Sequence, residues 1–149
     1  MYFPDLAQYQ YDLPRPLPEV LTVGWLKAGH VFPVGALNSD IVRTLEALLT
    51  SHRAHKMRGF HYCDLCPARE PIHVHLPEGP VFLSSAEIWL PAADGTIIFA
   101  APDLILHYVS AHRYLPPVLF KRAIQTASRW ADWNAKREAD CRLEAAFAK

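Results

Sequence analysis

Two pairs of metal-binding side chains constrain this chain more than any other feature. Cys63 and Cys66 are separated by two residues, and His107 and His112 are separated by four. Two thiolates and two neutral imidazoles around one divalent cation form a centre without net formal charge, which can be buried at low cost. The pattern therefore predicts one zinc ion with four protein ligands, whose two halves meet through tertiary folding.

The sequence around the cysteine pair supports a shared metal ion more directly than the sequence around the histidine pair does. Residues 64–65 and Pro67 suit a tight turn that points both sulfurs at one ion. His107 and His112 are harder to combine, because five residues along an ideal helix rotate one side chain about 140° from the other. Residues 116–117 are prolines, which disfavour helical geometry before them, so His112 is expected in a loosened last turn. The competing interpretation is a pair of core cysteines and two ordinary helix histidines.

Three blocks of sequence carry a resemblance. They are the start MYFPDL, the segment GFHYCDLC that ends at Cys66, and the segment APDLILHYVSAH that ends at His112. In this order they resemble a family of small bacterial proteins of largely unassigned function, over residues 1–120. The resemblance implies a metal site and no particular reaction. It also implies a histidine at the position of His61, which is a substitute ligand or a hydrogen-bond donor to a ligand.

Length and composition predict one domain. The chain has 149 residues, of which 51% are hydrophobic, and that length can bury a single core. No uncharged apolar run approaches the roughly 18 residues that cross a bilayer, and the first residues do not resemble a signal peptide. Three cysteines, two of them in a ligand-type pair, suit a reducing compartment, so the expected location is the cytoplasm.

The charge balance argues against general nucleic-acid binding. Fifteen basic residues match fifteen acidic ones, so no overall positive field exists to hold a phosphate backbone. The one basic concentration is the segment 51–58, which is typical of a solvated helix end. A nucleic-acid or regulatory zinc module therefore stays only as a second alternative.

The expected fold class is α+β, with a small antiparallel sheet packed against helices. Residues 1–20 are rich in proline and aromatic residues and predict an extended arm without strand or helix. Alternation and turn residues then predict short strands at 21–26, 72–76, 81–90 and 96–99, the last two forming a hairpin. His73 and His75 share one side of their strand, where an exposed polar face is favoured over a metal site.

Helical periodicity appears in three places. Residues 38–40 offer N-cap chemistry to a helix with apolar residues from Ile41 to Leu49 on one face, and residues 102–103 can open a short helix that carries His107. Apolar residues at helical spacing predict one long C-terminal helix over 117–147. This helix contains Trp130 and Trp133, which are either core residues or the centre of a surface for a protein partner.

The favoured function is that of a non-enzymatic bacterial binding protein with a structural zinc site, such as an immunity-type or accessory protein that neutralises a protein partner. The first alternative is a zinc-dependent hydrolase, for which Glu87 and Asp64 are the candidate proton acceptors. The sequence lacks the H-E-x-x-H motif and the motif order of zinc deaminases, which disfavours that alternative. Cys141 stands apart from any partner motif, so no catalytic residue is assigned.

Overall fold

The structure is a computed structural model and describes residues 1–55, 62–67, 69–77, 79–83 and 85–148. Within these ranges the chain forms seven strands and four α-helices. The strands are β1 (Gln8–Tyr9), β2 (Leu17–Thr22), β3 (Arg53–Ala54), β4 (Ile72–Leu76), β5 (Gly79–Leu83), β6 (Glu87–Pro91) and β7 (Ile98–Pro102). The helices are α1 (Ser39–Ser51), α2 (Ile105–His112), α3 (Val118–Thr126) and α4 (Ala135–Phe147). No helix in this described part of the chain is long and apolar enough to cross a membrane.

The strands form one mixed sheet and one separate hairpin. The sheet has the order β1-β2-β7-β6-β3, in which β2 runs parallel to β7 and the other pairs are antiparallel. The hairpin consists of β4 and β5. The predicted α+β class is therefore confirmed, while the main sheet is larger than the antiparallel sheet expected between Ile72 and Phe99.

The predicted strand at 81–90 is two strands in two different sheets. β5 pairs with β4 and alternates in burial, whereas every residue of β6 is buried between β3 and β7. Burial on both faces suits the apolar run of β6, so this segment joins the main sheet. The predicted hairpin after it is confirmed, since β6 and β7 are joined by a turn in which Gly95 has a φ of +76°.

The prediction that residues 1–20 contain no strand is wrong. β1 and most of β2 lie there, and the strand expected at 21–26 begins earlier, at Leu17. Pro18 is tolerated in β2 because the pairing with β1 shifts beside it, where Tyr9 faces Leu17 and Gln8 faces Leu21. The expected strand ends early because Gly24 takes a φ of +77°, which turns the chain.

The main sheet separates two apolar clusters. Ile88 and Leu90 of β6 lie in the first cluster, which includes residues of α1, α2 and α3 and also Cys63. Trp89 lies in the second cluster, together with Tyr9 and residues of α4. Successive side chains of β6 therefore point to opposite sides of the sheet, where they pack against different helices. On the first side α1 begins as predicted, with the Asn38 side chain accepting a 2.7 Å hydrogen bond from the Asp40 N–H.

The prediction of one helix over 117–147 is also wrong. α3 continues as a 3-10 turn, Ala127–Arg129, and α4 starts only at Ala135. Asn134 caps α4 by accepting a 2.9 Å hydrogen bond from the N–H of Arg137. The break allows α3 to pack in the first cluster and α4 in the second, which one straight helix cannot do.

Candidate metal centre

The four predicted ligands come together in space. One donor atom from each of Cys63, Cys66, His107 and His112 lies within 4.8 Å of all the others. Cys66 Sγ is 3.2 Å from His107 Nε2 and 3.4 Å from His112 Nε2, and Cys63 Sγ is 3.4 Å from His112 Nε2. Among the described residues this is the one group of three or more such side chains that can hold a metal ion.

The spacing of the donor atoms agrees with a tetrahedral centre. Zinc bonds of ~2.3 Å to sulfur and ~2.0–2.1 Å to nitrogen place neighbouring sulfur and nitrogen atoms about 3.6 Å apart. The three sulfur–nitrogen distances of 3.2, 3.4 and 3.4 Å are slightly shorter than this value. These three distances therefore lie within a few tenths of an ångström of those in a tetrahedral zinc site, and all four donors lie within 4.8 Å of one another.

The cysteines lie on a turn whose N–H groups partly offset the effect of burial on one sulfur. The N–H of Cys66 donates to the carbonyl oxygen of Cys63 at 3.3 Å, which closes the turn. Burial is the largest influence on the Cys63 thiol and raises its pKa, whereas N–H donation from Leu65 and Cys66 lowers that pKa. A divalent cation adds to the second influence, because it stabilises the thiolate directly.

The histidines lie on α2, whose buried residues anchor it to the core. Ile105, Leu106, Tyr108 and Val109 are buried, while the two ligand histidines are half-buried. Burial is the main cause that lowers the pKa of His107, and the neighbouring His112 lowers it further. A lowered pKa keeps the His107 imidazole neutral near pH 7, which is the form that binds metals.

The end of α2 resolves the difficulty of the four-residue spacing. The helix ends at His112, and Arg113 takes a left-handed conformation with a φ of +56°. The N–H of Tyr114 then donates to the carbonyl oxygen of Tyr108 at 3.1 Å, which closes the helix end. His112 is thus in the last turn, as predicted, although the chain turns at Arg113 and not at the prolines beyond it. The two histidine rings meet edge to face, with centroids 5.1 Å apart.

A carboxylate from the N-terminal arm supports this helix end. Asp5 accepts a 3.0 Å hydrogen bond from the N–H of Gly24 and a 2.8 Å hydrogen bond from the hydroxyl of Tyr114. Burial and the Asp5 charge raise the pKa of Tyr114, so the hydroxyl remains a donor. Sequence reasoning assigned Asp5 no such role. The only signal for it was its place in the MYFPDL block.

The other histidines singled out from the sequence do not join the centre in the part of the chain that is described. His73 and His75 are exposed on β4, as the alternation predicted, and their ring centroids are 5.1 Å apart. His61 lies outside the described residues, so its predicted role stays a prediction.

The two candidate proton acceptors have other partners. Asp64 accepts a 3.2 Å hydrogen bond from the N–H of Ala28. Glu87 accepts hydrogen bonds from Tyr9 and Trp89, two residues of the second apolar cluster, whereas Cys63 belongs to the first. The sheet thus directs the Glu87 carboxyl away from the side that holds the cysteine.

The tryptophans of the predicted partner surface are half-buried. The ring of Trp130 lies so close to Gly95 that a Cβ at that glycine would approach it to 2.6 Å. Trp133 donates its indole N–H to the carbonyl oxygen of Trp89 at 2.9 Å. Each ring therefore contributes to packing and leaves part of its surface to solvent. Cys141 is exposed on α4 and lies outside the four-ligand group.

Comparison with known protein families identifies the family to which the sequence is similar. A family described as a domain of unknown function (DUF7919) matches residues 1–125, which include all four candidate ligands and Asp5. No curated protein and no solved structure matches the chain significantly.

Proposed function

The chain belongs to a family of domains of unknown function (DUF7919), and we propose that it is a non-catalytic binding protein whose fold is held by one structural zinc ion. The observation that carries the proposal is the convergence of four protein donor atoms within 4.8 Å. Two sulfurs and two imidazole nitrogens in tetrahedral spacing favour zinc over calcium, magnesium and manganese, which prefer oxygen ligands.

The number of protein ligands supports a structural role for the metal. Catalytic zinc sites commonly have three protein ligands and leave one position for water or substrate, whereas structural sites have four. Glu87 accepts its hydrogen bonds from two residues of the second apolar cluster, whereas Cys63 belongs to the first, and Asp64 accepts one from Ala28, which further disfavours a hydrolase. In this proposal the metal joins the turn at Cys63 and Cys66 to α2, and its binding energy contributes to folding.

Metal analysis of the purified chain tests the structural site. We expect one zinc per chain, and we expect Cys63→Ser to lose the metal and to melt at a markedly lower temperature. Cys141→Ser is the matched control, because Cys141 is exposed and does not belong to the four-ligand group. Full zinc content and unchanged stability in Cys63→Ser would reject the proposed site.

Cobalt substitution distinguishes a closed site from an open one. We expect a tetrahedral absorption spectrum with sulfur-to-cobalt charge-transfer bands that does not change when azide or another small anion is added. A spectrum that shifts with the anion would mean an exchangeable position on the metal, and the hydrolase alternative would then replace the structural role.

The proposed partner is a protein, and two surfaces offer apolar contact area. The first consists of the half-exposed edges of Trp130 and Trp133, since large rigid rings suit interfaces. The second is the first turn of α3, where Val118 and Leu119 are 58% and 49% exposed. These two aliphatic residues can be changed with little disturbance of the core, unlike the tryptophans.

Co-expression with the products of neighbouring genes tests the partner. We expect a stable complex that weakens in Trp130→Phe and Trp133→Phe variants that remain folded. Leu119→Lys is the comparison that tells the two surfaces apart: loss of the complex in this variant alone would move the interface to α3. Capture of no partner, together with salt-dependent retention on DNA or RNA, would favour the nucleic-acid module instead.

A further inference from the structure

A pocket of about 220 Å³ lies beside the metal centre. Tyr62 and Asp64, which flank Cys63, form part of its wall, and Tyr108, which follows His107, forms another part. The pocket is therefore built partly by the two segments that carry the metal ligands. Lys27 and Asp64 line it from exposed positions, so the pocket opens to solvent on that side.

Two buried carboxyl groups line the same pocket. Glu87 is 2% exposed, and its two oxygens accept hydrogen bonds from Tyr9 at 2.9 Å and from Trp89 at 2.8 Å. Asp103 is 1% exposed and lies 3.4 Å from a guanidinium nitrogen of Arg53. Both donors to Glu87 are neutral groups, and no ion pair in the described ranges involves it. Among the described residues that line the pocket, these two buried carboxyl groups are accompanied by no buried cation.

The electrostatics of Glu87 indicate which kind of ligand the pocket favours. Burial is the main cause that raises the pKa of its carboxyl group to about 8, and the charge of Asp103 raises it further. A cation placed in the pocket would have the opposite effect, because it stabilises the ionised carboxylate. Donation from Tyr9 and Trp89 already orients both oxygens for this role.

Aromatic rings form another wall of the pocket. Tyr11 and Trp25 both line it, with ring centroids 5.5 Å apart. The indole N–H of Trp25 donates to the carbonyl oxygen of Ala100 at 3.0 Å, which fixes the ring. Aromatic faces attract cations through their quadrupole and also pack against apolar groups. Such a wall suits a ligand with a positive group and an apolar body.

The volume limits the size of that ligand. A pocket of about 220 Å³ corresponds to roughly seven water molecules at ~30 Å³ each. This space accommodates an amine attached to one ring or to a short aliphatic chain.

We propose that this pocket binds a small organic cation, namely a primary amine on an apolar or aromatic body, with Glu87 receiving the ammonium group and Trp25 and Tyr11 packing against the body. Asp103 adds negative potential while it remains paired with Arg53. This role goes beyond the structural metal and does not depend on which metal is bound.

A charge series of ligands tests the proposal on the full-length, metal-loaded chain. Phenethylamine, phenethyl alcohol and hydrocinnamate have one ring and a positive, neutral or negative end. By isothermal titration calorimetry we expect the amine to bind with a millimolar or lower Kd, the alcohol to bind at least about tenfold more weakly, and the carboxylate not to bind. Equal affinity for amine and alcohol, or no saturable binding of the amine, would overturn the proposal without any variant.

A substitution then locates the site. We expect Glu87→Gln to weaken amine binding about tenfold or more while it leaves binding of the alcohol unchanged, since glutamine has a similar shape but cannot become a carboxylate beside the ammonium group. Glu144→Gln is the matched control, because Glu144 is exposed on α4 and away from the pocket. An unchanged amine affinity in Glu87→Gln would reject Glu87 as the receiving group. Metal content is measured in the same samples, so loss of the metal and loss of the ligand are recognised separately.

Discussion

The hydroxyl of Tyr114 donates a 2.8 Å hydrogen bond to the carboxylate of Asp5, although 109 residues separate them in sequence. Tyr114 lies two residues after His112 and is completely buried. The other oxygen of Asp5 accepts from the N–H of Gly24 at 3.0 Å. The N-terminal arm is thereby tied to the end of the helix that carries both candidate histidine ligands, so the arm contributes to the geometry of the candidate metal centre.

The first prediction concerns this contact. We expect Tyr114→Phe to lower the free energy of unfolding by about 1.5–3 kcal/mol, because a hydrogen bond to a charged group is lost. Urea denaturation measures the effect, and Tyr2→Phe serves as a tyrosine control because its ring stacks on His30 near the surface. In a double-mutant cycle with Asp5→Asn, purely additive losses would show that the two side chains do not interact.

The second prediction concerns the histidine ligands. We expect His107→Ala and His112→Ala each to reduce zinc affinity by more than about 100-fold, since even the loss of groups behind the ligands costs up to that amount. Competition with a chromophoric chelator measures the affinity. His73→Ala and His75→Ala remove histidines that are exposed on β4 and should have no effect. Wild-type zinc affinity in His112→Ala would show that His112 is not a ligand and would favour His61 as the fourth ligand.

The third prediction concerns the pH dependence of stability. The pKa of Glu87 is about 8 in the folded protein against an ordinary value of 4.5, so the folded state holds a proton that the unfolded state has released between these values. Stability should therefore fall as pH rises through this window. Relative to wild type, Glu87→Gln should gain on the order of 3 kcal/mol between about pH 5 and pH 9.

Urea denaturation at several pH values measures this difference, and the histidine contributions cancel because both proteins carry the same histidines. Glu144→Gln should show no such gain, because its carboxyl group is exposed. A constant difference between Glu87→Gln and wild type at all pH values would mean that the carboxyl group of Glu87 does not titrate abnormally.

The fourth prediction uses two glycines with left-handed backbone conformations. Gly24 and Gly29 have φ values of +77° and +90°, but only at Gly24 would a Cβ meet another side chain, at 2.8 Å from Ile105. We expect Gly29→Ala to cost about 1–2 kcal/mol from the backbone alone. Gly24→Ala should cost clearly more and should also weaken metal binding, because Ile105 begins the helix that carries His107. Thermal denaturation and chelator competition measure the two effects, and equal costs would contradict the proposed contact.

The sequence by itself determined the features that depend on neighbouring residues. The ligand types at Cys63, Cys66, His107 and His112 follow from coordination chemistry and spacing, and the structure brings these four side chains close enough to hold a metal ion. The cap at Asn38, the alternation of 72–76 and the turn before β7 also follow from local backbone and side-chain preferences. Such preferences act over a few residues, so they can be predicted from a short segment without knowledge of the rest of the fold.

Only the tertiary structure decided which distant segments lie together. β2 pairs in parallel with β7, the segment 81–90 divides between two sheets, and the predicted terminal helix breaks before Ala135. The contact between Asp5 and Tyr114 and the pocket around Glu87 arise in the same way. Each of these features depends on which distant segments pack together in the two apolar clusters. The free energy of that packing exceeds the weak local preferences for helix or strand on which the sequence-based predictions rest.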